Sequence, residues 1–216
     1  MSQSGIASLS HDTFVLRSTL TSPFGRKVRI AIDVLGLSER ITIVPADTLD
    51  ENDSLRQQNP LGKLPCLLLA DGTVFYDSGV IIEFLQEVAG GEALLPSHGL
   101  TRYEMLTLAT LADGITDAAL LMVYESRFRE PAAHSQRWLA HQRGKIARAL
   151  AAFEGSPPNP GKTDIATIAL ACAFGYLDWR KPVEWRPDHP RLVQWLEAFT
   201  THEPAYARTR APTANP

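Results

Sequence analysis

The chain is poor in cysteine, in net charge and in long apolar runs. Only two cysteines occur among 216 residues, Cys66 and Cys172. Two thiols cannot build the disulfide framework of a small secreted scaffold, so the usage fits a reducing compartment. Lys and Arg total 21 against 24 Asp and Glu, a net charge of −3. A dedicated nucleic-acid binder carries a basic excess that is missing here. No uninterrupted apolar run approaches the roughly 18 residues that a membrane span needs. Residues Met1 to Asp12 lack the basic start and apolar core of a secretory signal. They are expected to form a flexible extension. The six histidines, His11, His98, His134, His141, His189 and His202, show no His-x-x-x-His spacing, and the cysteines show no Cys-x-x-Cys. The common metal-ligand patterns are therefore absent. What remains, 44% hydrophobic and 21% charged, is the composition of an ordinary globular chain. The expectation is a cytoplasmic protein with no metal, nucleic-acid or membrane partner.

The first half alternates strand and helix signals. Thr13 to Leu16 and Ile41 to Val44 are β-prone runs. Between them, Phe24, Val28, Ala31, Ile32 and Leu35 recur at helical spacing. Pro23 suits the first turn of that helix, where its missing N–H costs nothing, and Gly36 suits its end. Cys66 to Leu69 and Thr73 to Tyr76 flank Asp71-Gly72, a hairpin signal. Asp77 or Ser78 then caps a helix over Gly79 to Val88. Beyond Gly90-Gly91 strand signals cease. Helices are expected over Thr101 to Arg129, Ser135 to Phe153, Asp164 to Trp179 and His189 to Phe199. The fold class is α/β plus all-α, with a boundary near residues 90–100: a strand-bearing domain over 1–92 and an all-helical domain over 93–216.

Ten of the fifteen prolines lie from Pro131 onward. They fall mainly between the expected helices, as punctuation. Gly161-Lys162-Thr163 imitates the end of a phosphate-binding loop. That motif needs a glycine where Ser156 stands, and Pro157, Pro158 and Pro160 remove N–H groups that would cradle phosphate. The segment reads instead as the approach to a helix capped by Asp164, with Thr167 as its capping-box partner. Cys172 sits in a uniformly apolar helical run and reads as a core thiol.

Three segments carry chemistry. Thr21 to Arg29 and Asp77-Ser78 each put a hydroxyl at a helix N-terminus, where N–H groups and the helix dipole favour an anion. Asn59-Pro-Leu-Gly-Lys-Leu-Pro65 puts a proline just before a strand, a natural place for a cis bond in a tight turn. A cis proline there leaves the Leu64 backbone open to pair with a peptide-like ligand. Together they describe a pocket for a small anionic peptide. A thiol of pKa ~8.5 is mostly protonated at neutral pH, and only the thiolate attacks efficiently. A hydroxyl donor at a helix N-terminus favours the thiolate. Ser22 directly precedes Pro23 and is the preferred donor, with Thr21 and Ser18 as rivals.

In this order, the segments resemble the glutathione S-transferase superfamily, and the resemblance covers most of the chain. Ser22-Pro23-Phe24 ahead of Arg26-Lys27 is similar to bacterial serine-type members, as are Ala112-Asp113-Gly114-Ile115 and Gly175-Tyr176-Leu177-Asp178. One departure is Thr167, which stands where the family's core helix usually has an aspartate. The resemblance implies a thioredoxin-like first domain that binds glutathione and a helical-bundle second domain. It implies a homodimer, with Arg102 or Asp113 able to reach across the interface. It assigns Ser22 to the glutathione sulfur, Leu64 and Pro65 to the cysteinyl part, Asp77 and Ser78 to the γ-glutamyl end and Lys63 to the glycyl carboxylate. The electrophile would occupy an apolar pocket between the domains, lined near Tyr124. Redox relatives carry a cysteine at the Ser22 position, and without it the disulfide-exchange route is lost.

The implied function is conjugation of glutathione, as co-substrate, to a small hydrophobic electrophile, a detoxifying reaction. Two alternatives remain at this point: a non-catalytic glutathione- or partner-binding protein on the same fold, and a glutathione-dependent isomerase or peroxidase.

Overall fold

The computed structural model describes residue 9 and residues 12–212. The expected extension over residues 1–12 thus lies, apart from Leu9 and Asp12, outside the described residues. The described chain divides into two compact units: residues 9–99 with Arg208–Pro212, and residues 100–207.

The first unit is built on a four-stranded sheet of order β2-β1-β3-β4. Its strands are β1 (Phe14–Arg17), β2 (Ile41–Val44), β3 (Cys66–Leu68) and β4 (Val74–Phe75). β1 runs parallel to β2, with Phe14 opposite Ile41 and Leu16 opposite Ile43. The helix α1 (Pro23–Val34) makes the crossover that a parallel pair requires. β3 runs antiparallel to β1 and to β4, with Arg17 opposite Cys66 and Leu67 opposite Phe75. The β3–β4 connection is the expected tight hairpin. Leu69 donates to Thr73 and Gly72 to Leu69, and Gly72 takes a positive φ of 87° that a side chain would strain. A single helical turn, α2 (Leu55–Gln58), precedes β3, and α3 (Ser78–Ala89) follows β4. Phe14, Leu16, Leu67, Val28, Ile81 and Leu85 are all buried and form the core between sheet and helices. This is the thioredoxin-like arrangement.

The unit runs on to Gly99, inside the boundary zone expected near residues 90–100. The reason is Gln86, buried on α3. Its side-chain oxygen accepts the amides of Leu94 and Leu95, and its side-chain nitrogen donates to the Leu95 carbonyl. Leu94 and Leu95 are buried as a result. A segment near the C-terminus also returns to this unit. Arg208 pairs with Asp33 at 3.0 Å, and Arg26 donates to Thr209, both partners lying on α1.

The second unit is helical throughout: α4 (Leu100–Phe128), α5 (Gln136–Gly155), α6 (Ile165–Arg180) and α7 (Pro190–His202), followed by the short α8 (Pro204–Arg208), whose last residue is Arg208 of the first unit. By length and composition α4 is apolar enough to cross a membrane. Its buried positions, among them Met105, Ala109, Ala112, Ile115 and Met122, face α5 and α6 in this bundle. The centre is α6, whose residues Ile165 to Phe174 are all buried. Phe174 stacks on Trp185 with centroids 4.5 Å apart and meets Trp195 edge-on at 5.9 Å. The helix starts at a full capping box. The Asp164 carboxylate accepts the amides of Ala166 and Thr167 at 3.0 Å, and the Asp164 amide donates to the Thr167 hydroxyl at 2.9 Å. The usual acid-for-hydroxyl order is reversed, and the reciprocal bonds are kept. Cys172 lies inside this helix, buried.

Candidate functional site

Strand register brings the three chemistry-bearing segments together. Arg17, the last residue of β1, pairs with Cys66, the first of β3. Leu67 pairs with Phe75, the last residue of β4. The chain after β1, the chain before β3 and the chain after β4 therefore leave the sheet at one end, on three adjacent strands. These are residues 18–22, 63–65 and 76–78.

Ser22 is the N-cap of α1. Its hydroxyl oxygen accepts the Gly25 amide at 3.0 Å, and Pro23 opens the helix. With that oxygen engaged as an acceptor, the Ser22 proton remains to be donated. Ser22 is half-buried, whereas Ser18 is 1% exposed. Thr21 is exposed and shares a 3.1 Å hydrogen bond with Thr19. The three rival hydroxyls thus sit in different settings. Gly25 is what lets two of them converge. A Cβ there would come within 2.2 Å of the Ser18 oxygen and 3.3 Å of the Ser22 oxygen. A glycine inside a helix costs about 1 kcal/mol relative to alanine, and that penalty is the sequence signal for the close approach.

The Leu64–Pro65 peptide bond is cis, as the turn before a strand suggests. The turn is organised by Asn59, which is 1% exposed. Its amide nitrogen donates to the Lys63 carbonyl at 2.9 Å, and its side-chain oxygen accepts the Leu61 amide at 3.0 Å. Gly62 turns the chain with a φ of 59°. Among the described residues no backbone hydrogen bond engages Leu64, so its amide and carbonyl stay open. The Lys63 side chain is exposed. On the neighbouring strand, Asp77 caps α3 by accepting the Gly79 amide at 3.0 Å, and Ser78, 2% exposed, is the first helical residue. The Tyr76–Asp77 bond is cis as well.

Cys66 is fully buried at this end of the sheet, and burial pushes its thiol up to about 11, against a smaller opposing pull from Arg17. It is not a thiolate at neutral pH. The Arg17 guanidinium is committed to Asp53 at 2.7 Å, to Ser54 and Gln58 at 2.8 Å and to the Pro45 carbonyl. The Asp53 carboxyl is held below its ordinary range by the amides of Asp47 and Leu55, helped by Arg17. This network pins the loop between β2 and α2. Neither it nor the Asn59 bracket was read from the sequence. The signal for it was an arginine ending a buried strand, ahead of a run of acids at Asp47, Asp50, Glu51 and Asp53. Tyr124 lies elsewhere, on α4 of the helical unit, where it meets Phe128 edge to face. Among the described residues no group of three or more His, Cys, Asp or Glu could hold a metal ion.

A family model described as "Glutathione S-transferase, N-terminal domain" matches residues 21–88. That stretch holds Ser22, Lys63 to Pro65 and Asp77-Ser78. The uncharacterized GST-like protein YibF of Escherichia coli K12 is 38% identical over 205 residues, which is 92% of this chain and 99% of that protein. The chain belongs to the glutathione S-transferase superfamily. Among solved members, a glutathione transferase family protein from Pseudomonas fluorescens Pf-5, crystallised with bound glutathione, is 41% identical, with a TM-score of 0.87 over 93% of this chain and 100% of that one. A second structure of a family member from the same strain, holding S-(propanoic acid)-glutathione, is 40% identical with a TM-score of 0.83 over the same shares. The candidate residue Tyr124 lies outside the stretch that the family model covers.

Proposed function

We propose that the protein is a serine-type glutathione transferase that joins the glutathione sulfur to a small hydrophobic electrophile. The observation that carries this reading is the Ser22 hydroxyl. It caps α1, accepts the Gly25 amide and keeps its proton for a thiolate, at the sheet end shared with the cis-proline turn and with Asp77 and Ser78. A helix N-terminus adds partial positive charge in the same place. In this reading Ser22 does not ionise. It donates to the glutathione sulfur and lowers the pH at which that sulfur loses its proton. Leu64 pairs through its open backbone with the cysteinyl part, beside Pro65. Asp77 and Ser78 take the γ-glutamyl end, Lys63 faces the glycyl carboxylate, and Tyr124 contributes to the electrophile's binding surface. The ligand of the second Pseudomonas structure supports a transferase, since it is glutathione already substituted at sulfur. The buried, protonated Cys66 argues against a disulfide-exchange enzyme. We further propose a cytoplasmic homodimer with a detoxifying role.

The experiment is a panel assay with purified protein, glutathione, several electrophiles and a peroxide. The reading predicts saturable glutathione binding and conjugation of at least one electrophile, slowed in Ser22→Ala. Absence of saturable glutathione binding overturns it. Turnover of the peroxide alone would replace it with the peroxidase alternative.

A further inference from the structure

Two consecutive residues near the C-terminus, Arg208 and Thr209, hold the helix that carries Ser22. Both belong with the first unit, as α1 does. Their partners on α1 lie 175 and 183 residues away in sequence. Arg26 donates through Nε to the Thr209 hydroxyl at 3.3 Å, and both residues are buried. The Arg208 guanidinium donates to one carboxylate oxygen of Asp33 at 3.0 and 3.1 Å. The other Asp33 oxygen accepts the hydroxyl of Ser38, just beyond α1, at 2.7 Å. Arg26 and Asp33 are two helical turns apart, so they share one face of α1, about 10 Å from each other along its axis. The C-terminal segment thus grips α1 in its first turn and again in its last.

The first grip bears directly on Ser22. The Arg26 amide donates to the Ser22 carbonyl at 2.9 Å, and the Gly25 amide donates to the Ser22 hydroxyl oxygen at 3.0 Å. A shift of this turn therefore carries the Ser22 hydroxyl with it. The turn has little slack, since a Cβ on Gly25 would come within 2.2 Å of the Ser18 oxygen. Arg26 is 5% exposed, and a buried guanidinium that loses an acceptor must reorient toward another or leave a donor unmet. The second grip is different in kind. The Arg208–Asp33 pair is exposed on the arginine side, and such pairs contribute little to stability. Its effect is on where the end of α1 sits. A thiolate donor must be held to within about 0.5 Å of its working position.

We infer that Arg208 and Thr209 are positioning residues for Ser22: the C-terminal segment clamps α1 and sets where the Ser22 hydroxyl donates. The effect on the glutathione sulfur rests on the transferase reading; the clamp itself does not.

The test uses the full chain with Thr209→Val, which keeps the shape and removes the hydroxyl, and Arg208→Gln. Each should raise the pH midpoint of the bound thiolate, followed by ultraviolet absorbance, by about half a unit. Below both midpoints kcat should fall about threefold, above them it should match the parent protein, and the KM for glutathione should stay unchanged. Thr209→Ser and Arg208→Lys keep the donor or acceptor and should restore the parent midpoint. Asp164→Ala, which weakens a helix of the other unit, should leave the midpoint in place. Amide hydrogen exchange gives a readout apart from glutathione: Gly25 and Arg26 should lose protection in Thr209→Val. An unshifted midpoint in folded Thr209→Val and Arg208→Gln overturns the inference and leaves the transferase reading standing. An equal shift in Asp164→Ala also overturns it, since general loosening would then account for the effect. If the parent protein binds glutathione without holding a thiolate, the transferase reading falls. Exchange then decides the clamp: lost protection at Gly25 and Arg26 keeps it, and unchanged protection overturns it.

Discussion

Replacing Ser22 by alanine removes two things at once, and they read out separately. The first is the N-cap bond, the Gly25 amide donating to the Ser22 oxygen at 3.0 Å. Losing such a cap costs about 1 kcal/mol of stability. In a chain of this size that lowers Tm by about 2–4 °C. The second is the hydroxyl donor. A hydrogen bond to a charged acceptor contributes about 1.5–3 kcal/mol, part of which the neutral thiol also enjoys. At about 1.4 kcal/mol per pKa unit, the bound sulfur should ionise about one to two pH units higher in Ser22→Ala. The assay is the ultraviolet absorbance of the thiolate, followed against pH with glutathione saturating the protein. Ser22→Thr keeps a hydroxyl and should move the titration less. Thr21→Ala touches an exposed hydroxyl paired with Thr19 and should not move it. An unchanged titration in a folded Ser22→Ala protein that still binds glutathione refutes the assignment, and a shift in Thr21→Ala would transfer the role to Thr21.

Two further predictions concern other parts of the molecule. Asp164→Ala removes the acceptor for the Ala166 and Thr167 amides at the start of the buried helix α6. It should cost about 1–2 kcal/mol in denaturant unfolding, and Asp164→Asn much less; equal midpoints for all three proteins would contradict the capping role. Cys66, with its thiol held near 11, should be about one part in ten thousand thiolate at pH 7. Native protein should therefore resist thiol reagents at Cys66 until it is unfolded, and rapid labelling would show that the site opens. The same shift has a signed consequence for stability. The native thiol keeps its proton while the unfolded one, ordinarily near 9, loses it. Stability should thus fall as pH rises from about 9 to 11, by at most about 2–3 kcal/mol from this group. Cys66→Ala should flatten that part of the profile.

The sequence was legible where periodicity was long or punctuation was strong. The helix expected over Thr101 to Arg129 is Leu100–Phe128, and the one over Asp164 to Trp179 is Ile165–Arg180. The strands at Val74–Phe75 and Cys66–Leu68 are shorter than their apolar runs, because the Asp71-Gly72 turn takes up their ends. The single turns Leu55–Gln58 and Pro204–Arg208 were missed, since five residues or fewer cannot display a helical period. The glycine pair Gly90-Gly91 opens the boundary zone, and the first unit ends at Gly99 within it. The Gln86 amide then holds the chain to α3 for a further stretch, a contact that no local pattern announces. At the candidate site, Ser22, Pro65 and Asp77 were legible as caps and turn residues. Their convergence followed only from strand register, and the inward amide of Asn59 only from the folded turn.

The central claim is that this end of the sheet binds glutathione as its thiolate. The most direct test is calorimetric titration of the protein with glutathione near pH 7, in buffers of different ionisation enthalpy. A free thiol of pKa ~8.5 is mostly protonated there, so thiolate binding should release close to about one proton per glutathione bound. Saturable binding without proton release, or no binding at all, would contradict the claim.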